Sequence, residues 1–106
     1  MHNNPIPKRL KEARMANNVS QRELGRRLGF EISVASSRMN NYEQGKRTPD
    51  FTTLEKLAEE LNVPVPYFFC KSDKMAELLC MFDKLTAEQQ DNLIAQLREN
   101  SQNPVE

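Results

Sequence analysis

The chain has 106 residues, 38% hydrophobic and 28% charged, with fifteen Lys and Arg balanced by fifteen Asp and Glu. That length holds one compact core and a short appendage, and the composition excludes a disordered chain or a solenoid array. The zero net charge is unevenly spread: residues 1–50 carry ten cations against five anions and residues 51–106 the reverse, +5 against −5, so one half can face phosphates that the other repels.

Within residues 5–18, Ile6, Leu10, Ala13 and Met15 recur at helical spacing, with Lys8, Arg9, Lys11, Glu12 and Arg14 on the remaining faces. Asn17 and Asn18 end this first amphipathic helix. Ser20, followed three residues later by Glu23, has the spacing of a capping box and opens a short second helix that buries Leu24 and Leu28. Gly29 suits its left-handed C-cap. After a connection over 30–34, a third helix is expected over 35–44, closed by Gly45. It turns Ala35, Met39 and Tyr42 inward and leaves an almost purely polar outer face of Ser37, Arg38, Asn40, Asn41 and Gln44.

Asp50 is a good N-cap for a fourth helix with the stripe Phe51, Leu54, Leu57, Ala58 and Leu61. Pro64 and Pro66 bracket a turn, and Tyr67, Phe68 and Phe69 make a short fifth helix over the core. From Asp73 the apolar positions Met75, Leu78, Leu79, Phe82 and Leu85 step by three and four, widened by Ala76, Cys80 and Met81. Thr86 and Gln89 form a second capping-box pair ahead of a last helix holding Leu93, Ile94 and Leu97, and the tail from Asn100 onward is expected to fray. No run alternates like a strand, so the fold class is all-α.

The apolar stretch 63–70 is too short and too broken by proline to span a bilayer, and the amino terminus lacks the apolar core of a signal peptide. Both point to a cytoplasmic protein. Cys70 and Cys80 have no neighbouring His or Cys to complete a metal site and read as buried, reduced thiols. His2, at a frayed terminus, is a tag or initiator remnant rather than a ligand. No metal, cofactor or small-molecule ligand is expected. An enzyme finds no support, since there is no phosphate-binding glycine loop and no nucleophile paired with a base.

The run Val19-Ser20-Gln21-Arg22-Glu23-Leu24-Gly25-Arg26-Arg27-Leu28-Gly29, then Met39-Asn40-Asn41-Tyr42-Glu43-Gln44-Gly45-Lys46-Arg47-Thr48-Pro49-Asp50, closely resembles the Cro/C1-type (XRE, lambda repressor-like) helix-turn-helix family. The likeness continues through Leu54-Glu55-Lys56-Leu57-Ala58-Glu59-Glu60-Leu61-Asn62-Val63 and covers about residues 8–69. It implies a five-helix DNA-binding domain over 8–69, followed by a two-helix C-terminal extension over 73–100. It also implies a non-enzymatic transcriptional regulator whose third helix enters the major groove of double-stranded DNA. Arg38 would then donate to guanine and Asn41 pair with adenine, with Ser36 and Ser37 near the helix start able to bond base edges. Gln21, Tyr42, Gln44, Lys46 and Arg47 match family positions that contact phosphates, and Arg22 and Asn40 join that set. Arg22, Arg26 and Arg27 read equally as a solvated helix face. Arg14 and Glu43 match a family pair that forms a salt bridge bracing the first helix against the end of the third. One departure is the stretch Phe30-Glu31-Ile32-Ser33, which lengthens the link between the second and third helices by about four residues relative to the commonest family form. Phe30 and Ile32 are expected to extend the core.

The extension carries more apolar surface than one contact with the core requires. Met75, Leu78, Leu79, Phe82, Leu93, Ile94 and Leu97 are therefore expected to form a homodimer interface, so that two reading helices match a palindromic operator as a repressor would. The alternative is an antitoxin-like interaction protein whose C-terminal helices cover a partner protein.

Overall fold

The computed structural model describes residues 4–102; His2 lies outside them, as does the tail beyond Gln102. Among these residues the fold is all-helical: α1 (Ile6–Ala16), α2 (Gln21–Arg27), α3 (Ile32–Glu43), α4 (Phe51–Leu61), a 3-10 turn (Val65–Phe69), α5 (Asp73–Asp83) and α6 (Ala87–Gln102). No described helix is long and apolar enough to cross a membrane.

Local chemistry accounts for the boundaries. The side chains of Ser20, Asp50, Ser72 and Thr86 accept the backbone N–H groups of Glu23, Thr53, Met75 and Gln89. These satisfy donors that a helix start leaves orphaned. The Thr86 box is reciprocal, because the Gln89 carboxamide accepts the Thr86 N–H at 2.9 Å. The Ser20 box is not, because Glu23 turns to Arg26 and Arg27 instead. At the other ends Asn18, Gly29 and Gly45 take φ of 55, 93 and 78°. The following N–H groups of Val19, Phe30 and Lys46 reach back to the carbonyls of Arg14, Gly25 and Asn41, the Schellman arrangement.

The core joins Leu10 and Ala13 of α1, Leu24 of α2, Met39 of α3, Leu54, Leu57 and Leu61 of α4, and Phe68. Four sequence expectations fail here. Met15 and Phe51 are exposed, the latter by 61%, because Phe51 is the first residue of α4 and points past the core. Ile32 is exposed rather than core, and Phe69 turns outward while Tyr67 and Phe68 are buried.

Arg9 is the largest difference. Read as a surface cation, it is 1% exposed. Its Nε donates to the Cys70 carbonyl at 2.9 Å, Nη1 to Glu12 at 2.9 Å, and Nη2 to Asp73 at 2.9 Å and the Lys71 carbonyl at 3.5 Å. The Tyr67 hydroxyl donates to the same Glu12 oxygen at 2.8 Å. Burial alone would raise the Glu12 carboxyl, but the bonds from Arg9 and Tyr67 outweigh it and hold the group below its ordinary value. Burial, reinforced by Glu12, pushes the Tyr67 phenol up. This network fastens α1 to the residues where the extension begins.

The extension packs unevenly. Ala76 is buried, and Leu79 and Cys80 lie against the core, so Leu79 serves the domain's own packing rather than an outer surface. Met75, Leu78 and Met81 face away, 49%, 42% and 59% exposed. The last helix continues through Asn100 to Gln102 instead of fraying, yet none of its residues is buried. Phe82, Leu93 and Ile94 are half-buried, while Leu97 is exposed. The radius of gyration, 16.5 Å, exceeds the roughly 13 Å of a compact chain of this size, consistent with a projecting α6.

Candidate nucleic-acid interface

Helix α3 is held from behind. Gly25 of α2 sits so close to α3 that a Cβ built on it would lie 2.8 Å from both the Cβ and the carbonyl oxygen of Ala35. Glycine is what lets the two helices touch. Arg14 closes the far end: Nε and Nη2 donate to the two Glu43 oxygens, the second at 3.1 Å, while Nη1 donates to the Val19 carbonyl at 2.9 Å. The Glu43 side chain is 1% exposed, so it needs every donor it can find.

Gln21 supplies another, with Nε2 donating to Glu43 Oε1 and to Asn40 Oδ1, both at 3.1 Å. Both amide hydrogens of Gln21 are thereby spent, and the side chain has no donor left for a phosphate. Its backbone N–H, in the first turn of α2, remains free of that demand. Asn40 keeps its own NH2 group while its oxygen accepts from Gln21. The Arg14, Gln21, Asn40 and Glu43 cluster braces α1, α2 and α3 against one another.

The outer face of α3 begins earlier than the sequence indicates. The helix starts at Ile32, so Ser33 and Val34 belong to its first turn, and Ser36 and Ser37 lie in its second. The longer link is thus mostly taken up as added helix. Ser36 is exposed, and the Ser37 hydroxyl donates to the Val34 carbonyl at 3.1 Å. Val34, Ser37, Arg38, Asn41, Arg47, Thr48 and Asp50 line an open groove of about 550 Å³ between α3 and the start of α4. The Asn41 side chain makes no hydrogen bond among the described residues, while its carbonyl accepts the N–H groups of Lys46 at 2.9 Å and Arg47 at 3.3 Å. The turn carrying these two cations is therefore anchored to α3. Tyr42 is half-buried against the core, its ring centroid 6.4 Å from that of Phe30.

The basic side chains divide into two groups. Arg26 and Arg27 close on Glu23 at 2.7 and 2.9 Å and hold its carboxyl down to about 2. Arg22, Arg38, Lys46 and Arg47 form no ion pair among the described residues and leave their charge to solvent; Gln44 is exposed beside them. Pairing with Glu23 thus ties down two exposed cations of α2, while α3 and the turn after it keep a polar face of unpaired cations. Missing from the sequence reading were Gly25, whose role needs the α2–α3 distance, and Phe30 as a neighbour of Arg38, since the Arg38 Cζ lies 4.7 Å over the Phe30 ring. No group of His, Cys, Asp and Glu among the described residues could hold a metal ion.

Comparison with known proteins agrees with this geometry. The family described as Helix-turn-helix matches residues 10–68. HTH-type transcriptional regulator ImmR of Bacillus subtilis (strain 168) is 36% identical over 68 residues, 64% of this chain and 50% of that protein. The chain therefore spans half the length of that curated relative. The crystal structure of transcriptional regulator BswR superposes with a TM-score of 0.83 at 37% identity, covering 89% of this chain and 93% of that one, so the likeness reaches well beyond residues 10–68 into the C-terminal helices. A helix held at its back by two neighbours, α1 and α2, with a cationic face outward, is what this family presents to double-stranded DNA. The chain belongs to the Cro/C1 (XRE) type of helix-turn-helix transcriptional regulators.

Proposed function

We propose that the protein is a sequence-specific repressor that binds a palindromic operator as a homodimer. The observation that carries specificity is the pairing of Arg38 and Asn41 on one groove wall. Neither side chain is committed to a hydrogen bond among the described residues, whereas the other polar groups on the helix's inner side are. Arg38 suits guanine and Asn41 adenine, with Ser36 and Ser37 beside them, while Arg22, Asn40, Tyr42, Gln44, Lys46 and Arg47 set register on phosphates. The test is affinity for a duplex selected from a random pool against affinity for unselected DNA. Arg38→Ala or Asn41→Ala costs about 1–3 kcal/mol on the selected site and far less on the other. Equal losses on both would remove these residues from base reading.

The dimer rests on α6. A helix of 16 residues with none fully buried and only Gln90, Leu93 and Ile94 half-covered is marginal in water, so its apolar residues are best satisfied by a second copy. Met75, Leu78, Phe82, Leu93, Ile94 and Leu97 form that contact, and occupancy of a promoter by the pair is sufficient for repression. Leu78→Asp or Leu97→Asp yields monomers in light scattering that retain a folded domain, whereas Leu79→Asp unfolds the domain itself. A monomer at tens of micromolar in the unmodified protein refutes the dimer. Recovery of a stable one-to-one complex with a different polypeptide instead supports the antitoxin-like reading.

A further inference from the structure

We propose that Phe30 is a positioning residue for base recognition: its ring holds the Arg38 guanidinium flat and leaves the donor edges free for guanine. The proposal rests on the assignment of Arg38 as a base reader. Three observations carry it. The Arg38 Cζ lies 4.7 Å from the Phe30 ring centroid, cation-π distance. Arg38 has no carboxylate or carbonyl partner among the described residues, so the ring is the contact that defines where its head group rests. The ring is itself fixed, because the Phe30 N–H donates to the Gly25 carbonyl at 3.0 Å, its side chain packs against the core, and Tyr42 stands against it at 6.4 Å.

The chemistry follows from the shape of guanidinium. It is planar, with five N–H donors in its plane and none on its faces. A ring against one face covers surface that makes no hydrogen bond and leaves the in-plane fork intact, which is the fork that grips the N7 and O6 acceptors of guanine. An exposed arginine must otherwise surrender much of its rotamer freedom on binding, and a side chain already resting on a platform surrenders less. Phe30 comes from the stretch that lengthens the link between α2 and α3, so the added residues supply the platform for a side chain two turns along the added-length helix.

The experiment uses the full chain and the duplex it selects from a random pool. The guanine that depends on Arg38 is first located as the base pair whose preference disappears in R38A. At that position guanine is then replaced by 7-deazaguanine, which removes the N7 acceptor. Phe30→Leu keeps apolar bulk in the core and removes the π face, while Phe30→Tyr keeps it. F30L is expected to lose about two- to five-fold of the discrimination against 7-deazaguanine, equal to about 0.5–1 kcal/mol, at that base pair and nowhere else. F30Y retains it. If F30L discriminates as well as the unmodified protein, or loses affinity equally at every base pair, the platform is refuted while Arg38 stays a reader. If R38A alters no base preference, the assignment of Arg38 falls and the platform with it.

Discussion

Arginine 9 offers a sharp separation between an ion pair and a buried hydrogen bond. Its acidic partners are open to solvent, with the side chains of Glu12 and Asp73 exposed by 49% and 76%. Water screens such pairs, and each contributes little. The bond from Nε to the Cys70 carbonyl is different, since donor and acceptor both belong to buried residues. A charged donor on a neutral acceptor is worth about 1.5–3 kcal/mol, and its loss strands the carbonyl in the interior. Arg9→Met keeps most of the aliphatic bulk, so the cavity contribution is small. The expected destabilisation is about 2–3 kcal/mol, which lowers Tm by roughly 10–20 °C in a domain of this size. Thermal and urea unfolding followed by circular dichroism measures it directly. Asp73→Asn alone moves Tm only slightly, and the double variant melts close to Arg9→Met. If Asp73→Asn costs as much as Arg9→Met, the guanidinium works through its ion pair and the reasoning is refuted.

Three further outcomes are expected. Gly25→Ala forces a methyl against the Ala35 backbone and loses about 1–3 kcal/mol together with DNA affinity; an unchanged Tm contradicts the close approach. Lys46→Ala and Arg47→Ala weaken selected and random DNA alike and flatten the log-log salt dependence by up to about one unit each, and an unaltered slope places them away from phosphates. Acid also separates the variants. Bonds from Arg9 and then Lys8 hold Asp73 below its ordinary 3.8, and Glu12 lies below its ordinary 4.5. Carboxyls depressed in the folded state stabilise it above their unfolded values, and that contribution is lost as pH falls through the folded ones. The unmodified protein therefore loses more Tm than Arg9→Met between about pH 5 and pH 3, and parallel curves count against the network.

What could be read from the sequence was local. Ser20, Asp50 and Thr86 announce helix starts because a short side-chain oxygen three residues before an N–H is sufficient for a cap. Gly29 and Gly45 announce ends because a positive φ suits glycine. The start of α3 carried no such mark: Glu31 makes no side-chain cap, and Ile32 and Val34 are β-branched residues that favour helix weakly. Arg9 was hidden for a different reason. An arginine beside Lys8 and Lys11 looks like any solvated cation, and its acceptors at residues 70, 71 and 73 converge on it only through the fold. Leu78 and Leu79 are adjacent in one apolar stripe, and the rotation of α5 alone decides that the second packs inward.

The tie between Arg9 and residues 70–73 also sets a mechanical property. It works as a shoulder joint, fixing the direction in which the C-terminal helices leave the DNA-binding domain. In the proposed dimer those helices form a crossbar, and the angle at each shoulder determines the gap between the two α3 helices. Two-fold symmetry doubles any play. Adding one base pair to an operator moves its half-sites by about 3.4 Å and also rotates one around the duplex axis. In the proposed dimer a stiff joint would follow neither displacement, so such a dimer would act as a ruler that rejects misspaced sites, and loosening Arg9 would turn a strict gauge into a tolerant one.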